Sequence, residues 1–217
     1  MSSLRGVVFD ADGTIFDTAS LIYDAYHHIA EMHGYEKPSR EQVAKEMGRP
    51  IPEIIEALFP GADVAAMMSS NTDFVMSRAT TVVAFDGLRE LLKQLRSLRI
   101  KLAILTSGGE KIYSLLEHNN LSEFFGSIIH ADRVTNHKPH PEGFKLAAAE
   151  LQLEVNQLLM VGDMRQDIEV AANAGALGSV GITHGFGSRE TLEKAGADYV
   201  IDSLPELLGV VDDIRSI

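Results

Sequence analysis

Leu4-Arg5-Gly6-Val7-Val8-Phe9-Asp10-Ala11-Asp12-Gly13-Thr14 decides the fold class. Its first part is a short apolar run, read as a buried strand. The run stops abruptly at acidic, glycine-containing sequence, read as a loop. Similar runs recur at Ile100–Leu105, Ser127–Ile129, Leu158–Val161, Leu177–Gly181 and Tyr199–Ile201. Helical patterns lie between them, at Leu88–Leu98, Glu110–Asn119, Pro141–Leu151, Gln166–Ala174, Ser188–Ala195 and Leu204–Val211. Strands alternating with helices predict an α/β fold, a Rossmann-like parallel sheet with helices on both faces.

One segment breaks the alternation. From about Thr18 to Thr80 no strand pattern occurs. Leu21, Ala25, Ile29 and Met32 follow helical spacing, and Ser39 with Gln42 has the form of a capping box ahead of Val43 and Met47. Pro50 and Pro52 suit the start of a further helix over Ile55, Leu58 and Phe59, which Pro60-Gly61 stops. Val64, Met67 and Met68 continue the pattern, with the two methionines read as packing. The expected organisation is an α/β core at 1-17 and 82-217 with a small all-helical cap at 18-81. Linkers near Asp17–Thr18 and Thr80–Phe85 would let the cap open and close.

Composition bounds the function classes. The chain has 217 residues, enough for one core domain carrying a smaller insert. The formal net charge is −12, which argues against nucleic acid or an anionic membrane as partner. There is no cysteine, which excludes disulfides and zinc–thiolate sites and fits a cytoplasmic protein. No signal-peptide pattern and no run of about 18 apolar residues occurs.

Ligands of an open parallel sheet bind beyond the carboxyl ends of its strands. Asp10-Ala11-Asp12-Gly13-Thr14 follows the first run, Thr106-Ser107-Gly108-Gly109 the second, Lys138-Pro139 lies past the third, and Gly162-Asp163 with Asp167 follows the fourth. Each alone is weak, since an Asp at a strand end is usually a cap or turn former. Together they place four carboxylates on one edge, where they repel unless a cation sits among them. A hard cation with oxygen ligands and a phosphate partner fits magnesium. Lys138 and the backbone N–H groups at the helix start after Thr106 suit an anion. The set describes a phosphoryl-transfer site.

These four motifs, in this order, resemble those of the haloacid-dehalogenase-like (HAD) superfamily. The stretches Gly48-Arg49-Pro50, Gly181-Ile-Thr-His-Gly-Phe-Gly187 and Gly196-Ala-Asp-Tyr-Val-Ile-Asp202 resemble its capped phosphoglycolate-phosphatase branch. The resemblance implies a magnesium-dependent phosphatase acting on a small phosphorylated metabolite. Asp10 would be the nucleophile that forms an aspartyl-phosphate, and Asp12 the general acid and base. Thr106, Ser107 and Gly108 would hold phosphate oxygens, with Lys138 neutralising their charge. Asp10, the Asp12 carbonyl and Asp163 would bind Mg2+. Asp167 would reach the metal through water or orient Lys138. Gly13 would permit a tight turn where a β-carbon crowds the site.

Two positions depart from the pattern. Ala11 replaces a bulkier apolar residue and is expected to face packing. Met164 replaces a hydroxyl residue beside the metal aspartate, which puts the support of that residue in question. Asp12 and Asp163 favour phosphate chemistry over dehalogenation. Arg49 is a candidate reader of a substrate carboxylate or second phosphate. A β-phosphoglucomutase-type mutase and a non-catalytic phospholigand-binding protein are the alternatives. The histidines, among them His137 and His140 beside Lys138 and His184 after a strand end, are read as loop or rim residues without a catalytic part.

Overall fold

The computed structural model describes residues 4–216 apart from 48, 50, 79 and 80. Gly48, Pro50 and Thr80, which the sequence reading assigns to a turn, a helix start and a linker, lie outside the described residues. The chain divides into two compact units, 1–16 with 83–217, and 17–82.

The first unit is built on six parallel strands. They are β1 (Gly6–Phe9), β2 (Lys101–Leu105), β3 (Ser127–Ile129), β4 (Leu158–Gly162), β5 (Gly178–Ile182) and β6 (Tyr199–Ile201). Their spatial order is β3-β2-β1-β4-β5-β6, with every pairing parallel. Chain order therefore runs outward from β1 on one side and outward from β4 on the other. The crevice where the order reverses lies between β1 and β4, the usual ligand position in such sheets.

Helices cover both faces because side chains alternate along a strand. Val8, Ala103, Leu105, Leu158 and Met160 pack against Phe144, Ala147, Ala148 and Leu151 of α7 (Glu142–Leu151) and Val170 and Ala171 of α8 (Arg165–Ala174). The alternate residues Val7, Phe9, Leu102, Ile104, Leu159 and Val161 are also buried, on the opposite face. α5 (Leu88–Ser97) buries Leu88, Leu91, Leu92 and Leu95 and contacts β2 and α10 (Leu207–Arg215). The remaining helices of this unit are α6 (Lys111–His118) and α9 (Arg189–Lys194). The sequence pattern placed one helix at Leu204–Val211. A short 3-10 turn occupies Leu204–Glu206 instead, carrying Pro205 near its start, and α10 continues to Arg215.

The second unit contains four helices and no strand among its described residues: α1 (Ala19–His33), α2 (Arg40–Glu46), α3 (Ile51–Leu58) and α4 (Val64–Arg78). Gly34 ends α1 with a left-handed φ of 75°. The capping box at α2 forms as expected: Gln42 N–H donates to Ser39 Oγ at 3.1 Å and Ser39 N–H to Gln42 Oε1 at 2.7 Å. Ile29, Ile54, Ile55, Phe59 and Met67 are fully buried. Met32 is not part of this core, being 59% exposed. The buried face of α1 keeps Ala25 and Ile29 of the expected stripe and widens to Tyr23, Tyr26 and Ala30 beside them.

Candidate active site

Four loops at the carboxyl edge of the sheet carry the site. Asp10 follows β1 directly, and its N–H donates to the Val161 carbonyl at 2.8 Å, continuing the ladder with β4. Asp163 follows β4, and Thr106 follows β2 with its N–H bonded to the Ile129 carbonyl at 2.9 Å. Parallel register between β1, β2 and β4 is what brings these sequence-distant residues to one edge.

Lys138 enters from the loop between β3 and α7. Its Nζ donates to Asp10 Oδ1 at 2.5 Å, Asp167 Oδ1 at 2.6 Å and the Leu105 carbonyl at 3.1 Å. An ammonium has three N–H bonds, so all are used. The side chain is only 6% exposed. Burial alone would lower its pKa, but attraction to Asp10 and Asp167 outweighs burial and raises it. Lys138 is therefore a fixed cation.

The carboxylates are oriented as firmly. Asp167 spends its second oxygen on the Met164 N–H at 3.0 Å. Burial pushes its carboxyl up to about 6, with Lys138 opposing that rise and Asp10 adding to it. Asp163 accepts the Thr14 hydroxyl at 3.1 Å on Oδ1 and the Phe186 N–H at 2.7 Å on Oδ2. Burial, then the charges of Asp10 and Asp167, hold its carboxyl well above the usual range. One oxygen each from Asp10, Asp163 and Asp167 lies within 4.8 Å of the others, and all three residues are buried. Three carboxylates thus face one ammonium. A divalent cation with oxygen ligands fits this donor set and would relieve the repulsion that adds to burial in raising the Asp163 and Asp167 carboxyls.

Thr106, Ser107 and Gly108 form a tight turn in which Thr106 Oγ1 accepts the Gly108 N–H at 2.9 Å. The Gly108 carbonyl accepts the Ala131 N–H at 2.8 Å, tying the turn to the loop after β3. The N–H groups expected at a helix start after Thr106 lie in this preceding turn instead, because α6 begins only at Lys111. Asp12 lies over the same turn: a β-carbon at Gly108 would fall 3.4 Å from Asp12 Oδ2 and 3.3 Å from Thr106 Oγ1. Gly13 has φ of 80°, and a β-carbon there would fall 2.4 Å from Asp163 Oδ2, so both of its expected reasons hold. Ala11 is buried, as expected of a packing position.

Residues 7–177 match the haloacid dehalogenase-like hydrolase family. The chain belongs to that family. A phosphorylated carbohydrates phosphatase of Thermotoga maritima is 28% identical, across 97% of this chain and 100% of that protein. A phosphoglycolate phosphatase of Vibrio parahaemolyticus is 28% identical across 96% of each. The pyrophosphatase PpaX of Halalkalibacterium halodurans is 30% identical across 96% of this chain and 97% of that one.

Of the residues singled out in this haloacid dehalogenase-like hydrolase, Asp10, Lys138 and Asp167 are joined by hydrogen bonds, Asp163 brings a carboxylate oxygen within 4.8 Å of those of Asp10 and Asp167, and Asp12 lies with Thr106 and Gly108. Arg49 belongs to the helical unit, where its guanidinium pairs with Glu46 and with Glu53 at 3.1 Å. Thr14 and Phe186 were missed as partners of Asp163. Phe186 acts through its backbone N–H, for which side-chain chemistry leaves no signal. The flanking Gly185 and Gly187 were the readable clue.

Proposed function

We propose that this hydrolase is a magnesium-dependent phosphatase of small phosphorylated metabolites, with Asp10 as its nucleophile. The observation that carries the reading is the buried Asp10–Lys138–Asp167 chain beside Asp163 at the switch point of the sheet. Lys138 holds Oδ1 of Asp10, while Oδ2 accepts no hydrogen bond from the described residues. Asp10 therefore keeps an oxygen available for attack on phosphorus. The bond from phosphorus to the leaving oxygen breaks as the Asp10–phosphorus bond forms, and protonated Asp12 gives its proton to that oxygen. Asp12 then takes a proton from water as the water oxygen attacks phosphorus. The Asp10–phosphorus bond breaks and inorganic phosphate leaves.

The Thr106–Gly108 turn and Lys138 would hold the phosphate oxygens through both steps. Asp10, the Asp12 carbonyl and Asp163 would hold Mg2+, with Asp167 serving mainly to orient Lys138, as its 2.6 Å contact supports. The bound ion would offset negative charge on the transferring phosphoryl group. The three relatives named above are phosphatases of a carbohydrate phosphate, phosphoglycolate and pyrophosphate. They support phosphate release from a small substrate and leave its identity to experiment.

A panel of phosphorylated metabolites assayed with Mg2+ tests the reading by kcat/KM. Inorganic phosphate should be released from at least one member. Glucose 1-phosphate converted to its 6-isomer without phosphate release would make the enzyme a mutase. Tight metabolite binding without any turnover would make it a binding protein.

A further inference from the structure

The loop after β5, Thr183-His184-Gly185-Phe186-Gly187, takes no part in the steps above, yet it packs directly against Asp163. The Phe186 N–H donates to Asp163 Oδ2 at 2.7 Å. A β-carbon at Gly185 would fall 2.1 Å from that same oxygen, and one at Gly187 2.0 Å from the Asp163 carbonyl. Both approaches are available only to glycine.

His184 fastens the loop to the opposite wall. Its Nε2 lies 2.9 Å from the Thr14 carbonyl. A carbonyl can only accept, so Nε2 carries the proton. Thr14 in turn donates its hydroxyl to Asp163 Oδ1. The His184 ring stacks on Phe85 at 3.7 Å and 18°, and the Phe85 N–H bonds the Ile15 carbonyl at 3.0 Å. The loop from β5 and the loop from β1 thus grip both oxygens of one carboxylate and are joined to each other.

We propose that residues 184–187 are the positioning element of the divalent-cation site: they fix the orientation of Asp163 through the Phe186 amide and lock the Thr14 contact through His184. The inference rests on Asp163 being a metal ligand. A carboxylate oxygen offers about two lone-pair directions, so one bond on each oxygen sets the rotamer and leaves a direction for the cation. Partners of this kind change metal affinity roughly 10- to 100-fold when removed. Met164 lacks the hydroxyl expected beside Asp163, and the carboxylate takes its bonds from Thr14 and the Phe186 amide.

Calorimetric titration of the substrate-free protein with Mg2+ tests this. Gly185→Ala should raise the Kd at least about tenfold, because its β-carbon displaces the Asp163 oxygen. His184→Ala should raise it roughly tenfold, and His184→Gln, which restores an N–H donor, should recover most of the loss. Gly209→Ala, where a β-carbon meets nothing within 4 Å, should match the wild type. Activity lost by His184→Ala at low Mg2+ should return at saturating Mg2+, which loss of folded protein would not allow. Unchanged Mg2+ affinity in both His184→Ala and Gly185→Ala, with wild-type binding intact, would overturn the role of the loop alone. If Gly185→Ala fails to fold, the His184 pair decides. A wild-type protein that binds no Mg2+ would overturn the metal assignment beneath it.

Discussion

The two units bury different things. The α/β unit buries Asp10, Asp163 and Asp167 along one sheet edge, with a lysine side chain among them. The helical unit buries no charged residue among those described; its buried polar residues are Thr18 and Asn71. Buried charge is costly unless paired, so a fold keeps it only where partners are supplied. The difference teaches where the chemistry lies. Nothing as costly marks the helical unit, where Arg49, its one candidate site residue, is exposed.

Four substitutions probe that contrast, from the largest effect downward. Asp10→Asn keeps the shape of the side chain and removes the nucleophilic oxygen, so kcat should fall by about 10^4 or more while the fold persists by circular dichroism. Lys138→Ala removes one cation from two buried carboxylates; kcat should fall roughly 10^2- to 10^3-fold, measured with Mg2+ saturating. Met67→Ala, in the core of the helical unit, should cost about 2–5 kcal/mol in denaturant unfolding yet leave Mg2+ affinity unchanged. A large change in Mg2+ affinity there would erase the distinction between the units. Arg49→Ala should act least. Its guanidinium is exposed and already paired with Glu46 and Glu53, so a few-fold rise in KM with kcat intact is expected if it reads substrate. Unchanged kinetics on the best substrate would return it to the surface.

The raised pKa of Asp167 gives a pH test with a definite sign. Its folded value, about 6, lies above the ordinary aspartate value of 3.8. Between those values the folded state holds a proton that the unfolded state has lost. Its contribution to stability therefore falls as pH rises through that window. For the metal-free protein, wild-type stability measured against Asp167→Asn should decline by on the order of 2–3 kcal/mol from pH 4 to pH 6. A difference that rises over the same window would contradict the burial argument.

Much of the α/β unit was legible because its signals are local. Each strand is a short apolar run, and each site residue is a polar group just past one. Lys138 is an exception that could still be read, through its place after the third run. What stayed hidden was set by tertiary contact. The Phe186 amide is a donor every non-proline residue carries, so only the fold selects it for Asp163. The turn at Thr106–Gly108 is local, closed by the Thr106 hydroxyl, but its tie to the loop after β3 through the Ala131 N–H is a tertiary contact that local propensity does not record. In α1, Ala25 and Ile29 were readable from helical spacing, but packing extended the buried face to Tyr23, Tyr26 and Ala30 and left Met32 exposed.

The central claim is that Asp10 carries the phosphoryl group. Acid quench of the wild-type enzyme during turnover of p-nitrophenyl phosphate with Mg2+, followed by peptide mass spectrometry, tests it directly. The account predicts a phosphoryl adduct on Asp10 that is absent from Asp10→Asn. No adduct, together with retained turnover by Asp10→Asn, would contradict it.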